Sequence, residues 1–228
     1  MRHVFVSSLH GIPVALLLAA QLVGAQPLAS DDFVPDDFVP DDVIHVQLVG
    51  REIYAFAGNG SGRVSERLLR DEELLWKGQR GRIGVAITDQ RILAATPNTS
   101  SWRGERFRVE EVVDERARVG PRVAVFLTNR RVLGFHGTGS NWVEANLGLK
   151  EEVLDVGVGN GPAVVVTNRR LLGLSHRAAA FFEQTLELKE EVASVDMSAA
   201  AGSVTTDRRV LVFLASSGRW TSQRLPLE

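Results

Sequence analysis

The chain has 228 residues, with 26 basic and 28 acidic side chains, a formal net charge of −2 and 44% hydrophobic residues. The near balance of charge argues against a general nucleic-acid binder, which carries a basic excess. The absence of cysteine excludes disulfides, thiolate metal sites and a cysteine nucleophile.

Residues 1–25 read as a secretory signal. Arg2 gives a positive start, Ile12 to Ala20 is an apolar run broken only by Pro13, and Val23-Gly24-Ala25 offers small residues for cleavage. The run is short for a bilayer span; retention as an N-terminal anchor is the alternative. Without cysteine there is no lipobox, and no later segment is long and apolar enough to cross a membrane. The expected destination is the periplasm or the exterior. Residues 26–42 follow, with Asp31-Asp32-Phe33-Val34-Pro35 repeated as Asp36 to Pro40 before Asp41-Asp42. This reads either as a solvated acidic linker or as the inner strand of the first repeat, Asp-Asp-Phe-Val standing in for Glu-Glu-Val. Proline within the run weakens the second reading.

From residue 43 to 228 the chain is periodic. Thr88-Asp89-Gln90-Arg91 returns as Thr128-Asn129-Arg130-Arg131, Thr167-Asn168-Arg169-Arg170 and Thr206-Asp207-Arg208-Arg209, with steps of 40, 39 and 39 between the last arginines. An aromatic marker keeps the same beat at Trp102, Trp142, Phe181 and Trp220, and an acidic pair recurs at Glu72-Glu73, Glu110-Glu111, Glu151-Glu152 and Glu190-Glu191. A degenerate first copy lies around Glu52-Ile53-Tyr54. Three markers in step give five units of about 40 residues. In the fourth copy, Glu191–Val195 carries apolar Val192 and Val195, Ala163–Thr167 and Arg170–Leu174 flank the Asn168-Arg169 turn, and Phe181–Leu188 alternates. These are strand and turn signals, four strands to a unit. The expected fold is therefore all-β, a five-bladed β-propeller built from four-stranded repeats; a β-trefoil closes at three units and does not fit.

The order of acidic pair, inner strand, strand ending in Thr, Asn/Asp turn, strand and final strand resembles a WD-type repeat in layout over residues 43 to 228, although the Gly-His and Trp-Asp dipeptides are absent. The resemblance implies that the turn between the second and third strands and the connection entering each blade share one face. Thr128, Arg131, Glu152, Thr167, Arg170, Glu191 and Arg209 are then expected to form a structural network of hydroxyl, guanidinium and carboxylate, since the planar guanidinium holds a carboxylate in two bonds. An alternative use of the turns is an anion-binding ring of Arg130, Arg169 and Arg208.

Ligand contact is expected, if anywhere, at the loops before the final strands. Trp102, Asn141, Trp142 and Trp220 follow short polar stretches, and an indole beside amide and hydroxyl groups can stack on a sugar; the competing role of these rings is packing between blades. His45, His136 and His176 show no ligand spacing, and no catalytic motif is present. Asp114, Glu115, Asp155 and Asp196 fall on inner strands, where a glycosidase-like pair could assemble. The composite expectation is a secreted or periplasmic non-enzymatic binding propeller, monomeric, without cofactor or metal, recognising a glycan or protein and no nucleic acid. A small propeller hydrolase is the alternative.

Overall fold

The computed structural model describes residues 43–58, 60, 62–113 and 118–226. The expected signal at 1–25, the acidic segment at 26–42, Asp114 and Glu115 lie outside the described residues. Five antiparallel sheets follow one another along the chain, and no described residue is helical.

The first sheet contains β1 (Ile44–Val49), β2 (Glu52–Ala57) and β3 (Arg63–Arg67). The second holds β4 (Leu74–Arg80), β5 (Ile83–Thr88), β6 (Arg91–Ala95) and β7 (Arg103–Arg106). The third holds β8 (Arg118–Val119), β9 (Val123–Leu127), β10 (Arg131–His136) and β11 (Asn141–Asn146). The fourth holds β12 (Val153–Val158), β13 (Pro162–Thr167), β14 (Arg170–Ser175) and β15 (Phe182–Thr185). The fifth holds β16 (Val192–Met197), β17 (Ala201–Thr206), β18 (Arg209–Leu214) and β19 (Arg219–Arg224). Within every sheet, neighbours in sequence are neighbours in space. This is the layout of a five-bladed propeller. The first blade shows three strands among the described residues, in the order β1-β2-β3.

The reason for the strands is two-sided burial. β9 (VAVFL), β13 (PAVVVT) and β5 (IGVAIT) are buried at every position, so they read as continuous apolar runs rather than as alternation. The outermost strands alternate, as in β11, whose Val143 and Ala145 face inward between exposed Asn141, Glu144 and Asn146. Blades meet face to face through four apolar clusters. One joins blades 1 and 2 through Ile53, Ala55, Leu93 and Trp102; Phe126, Leu133 and Phe135 belong to the cluster between blades 2 and 3. Val165 and Leu172 lie between blades 3 and 4, and Val204, Leu211 and Phe213 between blades 4 and 5. Gly134 is required in β10, because a Cβ there would sit 2.6 Å from Leu174 and 2.9 Å from the Phe181 ring of the next blade. Among the described residues no such cluster joins blade 5 to blade 1. Their corresponding faces carry half-buried Ser203, Thr205, Val210 and Val212, and Tyr54 and Phe56.

A register shift recurs at the start of the inner strands, between Leu74 and Trp76, Val153 and Asp155, and Val192 and Ser194. A bulge adds one residue and turns it away from the ladder. It leaves Leu75 and Leu154 exposed.

Candidate functional site

One face of the propeller carries the Thr-Asn-Arg-Arg turns and the connections that enter each blade. At Thr128 the hydroxyl oxygen accepts the backbone N–H groups of Arg130 (3.2 Å) and Arg131 (2.9 Å). Its single proton faces Glu111 Oε1 at 2.8 Å and the Arg131 carbonyl at 3.0 Å. Threonine therefore both shapes the turn and helps hold the carboxylate. Arg131 then grips Glu111 in two bonds, Nε to Oε1 at 2.7 Å and Nη2 to Oε2 at 3.1 Å. Arg91 grips Glu72, Arg170 grips Glu151 and Arg209 grips Glu190 in the same way.

Each of these arginines also reaches backward across the blade boundary. Arg91 Nη2 donates to the carbonyl of Arg67, Arg131 to Arg106 at 2.8 Å, Arg170 to Asn146 at 2.6 Å and Arg209 to Thr185 at 3.0 Å. Every acceptor ends the outermost strand of the preceding blade. The unit is thus a clip between blades, which accounts for its recurrence. The first blade, with no described predecessor, has Glu52 where the others have arginine; its carboxylate accepts from the Tyr54 hydroxyl.

The carboxylates differ from the sequence expectation for Glu152 and Glu191. Those side chains are exposed, and the residues take part through backbone N–H groups that donate to Asn168 Oδ1 (3.2 Å) and Asp207 Oδ1 (3.0 Å). The buried partners are Glu151 and Glu190, from the connection upstream in the same blade. Burial pushes the Glu111 carboxyl up, but Arg131, the Arg108 N–H and Thr128 outweigh it and hold the group below the ordinary carboxylate range. The Arg209 bond leads for Glu190 and brings it down to about 2. Arg131 is raised despite burial, by Glu111, Glu144 and Glu105.

The first arginines of the turns do not converge. Arg130 lies 3.2 Å from Glu110, Arg169 donates to the Leu149 carbonyl at 2.7 Å, and Arg208 contacts Glu187 and the Lys189 carbonyl at 3.3 Å each. Each closes the connection of its own blade.

The tryptophans pack between blades. Trp102 is buried, and its indole N–H donates to the Ile53 carbonyl. Trp142 donates to Arg103 O and rests against Phe126 and Phe135. Trp220 donates to Phe182 O and rests against Phe213. In each case the acceptor belongs to the preceding blade, so the indoles are a second set of clips. Asn141 stays exposed at the start of β11. Of the inner-strand acids, Asp155 accepts its neighbour's N–H and Asp196 the Ser194 hydroxyl, both exposed.

A feature absent from the sequence expectations stands on the clip face. The connections Arg108–Glu111, Gly148–Glu151 and Glu187–Glu190 each close a turn with a first-to-fourth hydrogen bond of 2.9–3.0 Å. The third residue, Glu110, Lys150 or Lys189, has φ of 60°. That is the signature of a type II turn, which ordinarily asks for Gly or Asn there. The clip glutamate fixes the turn by accepting the N–H of its first residue at 2.6–2.7 Å. The second residue of each turn is Val109, Leu149 or Leu188, exposed by 84%, 85% and 86%. Between blades 3 and 4 this face also holds a cleft of about 470 Å³ bordered by Val112, Asn129, Leu147, Glu152 and Val153. Val112, at the cleft on this face, is exposed as well. The sequence signal was available: an apolar residue stands two positions before each of these clip glutamates. Among the described residues, no cluster of His, Asp and Glu could hold a metal ion.

No protein-family pattern matches this chain, and no curated protein resembles it in sequence. Solved propellers do resemble it distantly. Prp20p of Saccharomyces cerevisiae is 7% identical with a TM-score of 0.39, covering 75% of this chain and 55% of that one. The WD40 domain of SCAP from fission yeast is 9% identical with a TM-score of 0.33, covering 81% and 56%. PorZ, a surface component of the type-IX secretion system of Porphyromonas gingivalis, is 14% identical with a TM-score of 0.38, covering 82% and 27%. The chain spans little more than half of these structures at most. Likeness at this distance carries nothing about partners.

Proposed function

We propose that this chain is a non-enzymatic binding propeller that recognises a protein partner through the clip face. The observation that carries the reading is the set of three apolar side chains held almost wholly in solvent at equivalent turn tips. Covering a Leu or Val side chain on binding is worth about 1.5–3 kcal/mol, and three such tips on one face give a partner that spans them three equivalent apolar anchors. The neighbouring Glu110, Lys150, Glu152 and Lys189 supply the polar rim such interfaces have. Each turn is pinned by a buried glutamate, so the tips are preorganised and little ordering cost falls on binding. Glycan recognition is the weaker reading, because the three tryptophans that motivated it are engaged between blades. Residues 1–25 support a working place in the periplasm or outside the cell.

A photo-activated cross-linking residue at position 149, with a second at 138 on the opposite face, tests the reading in the source cells. The expected result is a discrete protein adduct from position 149 that disappears when Val109 and Leu188 are changed to Ser. Adducts only from position 138 would overturn it. So would binding of a soluble glycan that is lost with Asn141→Ala and kept in the Val109, Leu149, Leu188 triple Ser variant.

A further inference from the structure

On the opposite face, where the turns between inner strands meet the loops before the final strands, blades 2, 3 and 4 enclose a second cavity of about 260 Å³. It is lined by Arg82, Arg122, Arg177, His176, Asn98 and Thr138, with Gly137 beneath. No lining residue is acidic. Arg122 and Arg177 are exposed, and among the described residues neither guanidinium has a hydrogen-bond or ion-pair partner. This contrasts with the clip face, where the turn arginines are engaged. Like charges gathered around one concavity repel, and the arrangement is relieved when an anion enters.

From the convergence of these side chains on one cavity, we infer a binding site for a tetrahedral oxyanion, phosphate or its monoester, held by Arg122 and Arg177 with His176 at its wall. Guanidinium groups suit it because each can donate two parallel N–H bonds to one oxyanion. The volume exceeds that of a single phosphate, and Asn98 and Thr138 offer an amide and a hydroxyl to whatever the phosphate is attached to. The cavity is supported from behind. The Gly137 N–H donates to the Arg122 carbonyl at 2.8 Å, tying a blade 3 turn to a blade 3 loop. His136 accepts the Gly139 N–H at 3.1 Å through Nδ1, holding the blade 3 loop.

His176 supplies an internal reporter. Its Nδ1 is buried without a hydrogen-bond partner. Burial first, and then Arg122, Arg177 and His136, hold the ring below the ordinary histidine range, while a bond involving the Gly161 backbone works in the opposite sense. An anion between the arginines offsets their repulsion of a protonated ring, so occupancy moves the His176 titration upward.

The test uses the full chain at constant ionic strength, with inorganic phosphate and glucose 6-phosphate as separate probes and chloride as the control. Calorimetry is expected to show saturable phosphate binding in the roughly millimolar range or tighter. The monoester binds more tightly if the attached group occupies the remaining space, and equally if free phosphate is the ligand. Arg122→Gln and Arg177→Gln, both at exposed positions, are each expected to weaken binding about tenfold, the loss of a charge-assisted hydrogen bond. Arg130→Gln, on the other face, leaves it unchanged. By NMR, the His176 titration rises with phosphate in the parent and stays still in the double variant. Absence of saturable binding overturns the inference, as does binding that survives the Arg122→Gln/Arg177→Gln double variant or is lost equally with Arg130→Gln. It stands independently of the apolar face, whose cross-linking outcome neither supports nor removes it.

Discussion

Replacing Arg131 by Ala isolates what a clip contributes. Arg131 is the most enclosed of the four, with its side chain 2% exposed and Glu111 at 0%. It makes five bonds: two to Glu111, one each to Glu105 and Glu144, and one to the Arg106 carbonyl. Glu105 and Glu144 are 31% and 41% exposed and can turn to water, so their loss costs little. Glu111 cannot. Stripped of its counter-charge it remains buried, and breaking a buried pair from one side costs about 3–5 kcal/mol. The sequence alone supports a smaller figure, about 1–3 kcal/mol for a partly buried charged bond; the enclosure of Glu111 raises it. For a domain of this size, the loss corresponds to a fall in Tm of roughly 10 °C. Urea denaturation followed by far-ultraviolet circular dichroism reads the change, with the slope checked for constancy. The double variant Arg131→Met/Glu111→Leu removes both charges and is expected to recover most of the loss. A cost under about 1 kcal/mol for Arg131→Ala, the size of an exposed pair, would refute the reasoning. A double variant no better than the single would refute it too.

Glu190 sets a pH dependence. Its carboxyl is held at about 2, chiefly by Arg209, against 4.5 for an unperturbed glutamate; a depressed folded-state value means that the contribution is complete above 4.5 and vanishes as pH falls to 2. The parent should therefore lose on the order of 3 kcal/mol more stability over that window than Glu190→Gln does, as measured by denaturation at stepped pH. Trp142→Ala is expected to destabilise by about 3–5 kcal/mol through the cavity left against Phe126 and Phe135. Trp142→Phe should lose about 1 kcal/mol, the hydrogen bond to Arg103 O. Acrylamide should quench chiefly Trp76, which is 42% exposed, and Trp76→Phe should leave a shielded fluorescence from Trp102, Trp142 and Trp220; quenching as strong as in the parent would show that those indoles are open to ligand.

The period of 39–40 residues, the Thr-Asn-Arg-Arg turns and the all-β character follow from local chemistry. β-branched runs make strands wherever both faces are covered, and a turn hydroxyl bonds its own backbone in any context, so Val164, Thr167 and Asn168 carry their meaning in the chain itself. Three further features depend on the folded arrangement rather than on neighbouring residues. The clip carboxylate is Glu151 rather than Glu152, because the turn before it sends alternate side chains inward and outward. The indoles that could have stacked on a sugar instead donate to carbonyls of the preceding blade, a distance no spacing within one unit measures. The gathering of Arg82, Arg122 and Arg177 is only partly legible: Arg82 and Arg122 share one repeat position, each ahead of its clip arginine, but Arg177 stands at another, and nothing in the spacing brings the two positions to one cavity. Local patterns are written in neighbouring residues. The apolar face and the arginine-lined cavity arise where side chains from different blades are brought together by the stacking of blades.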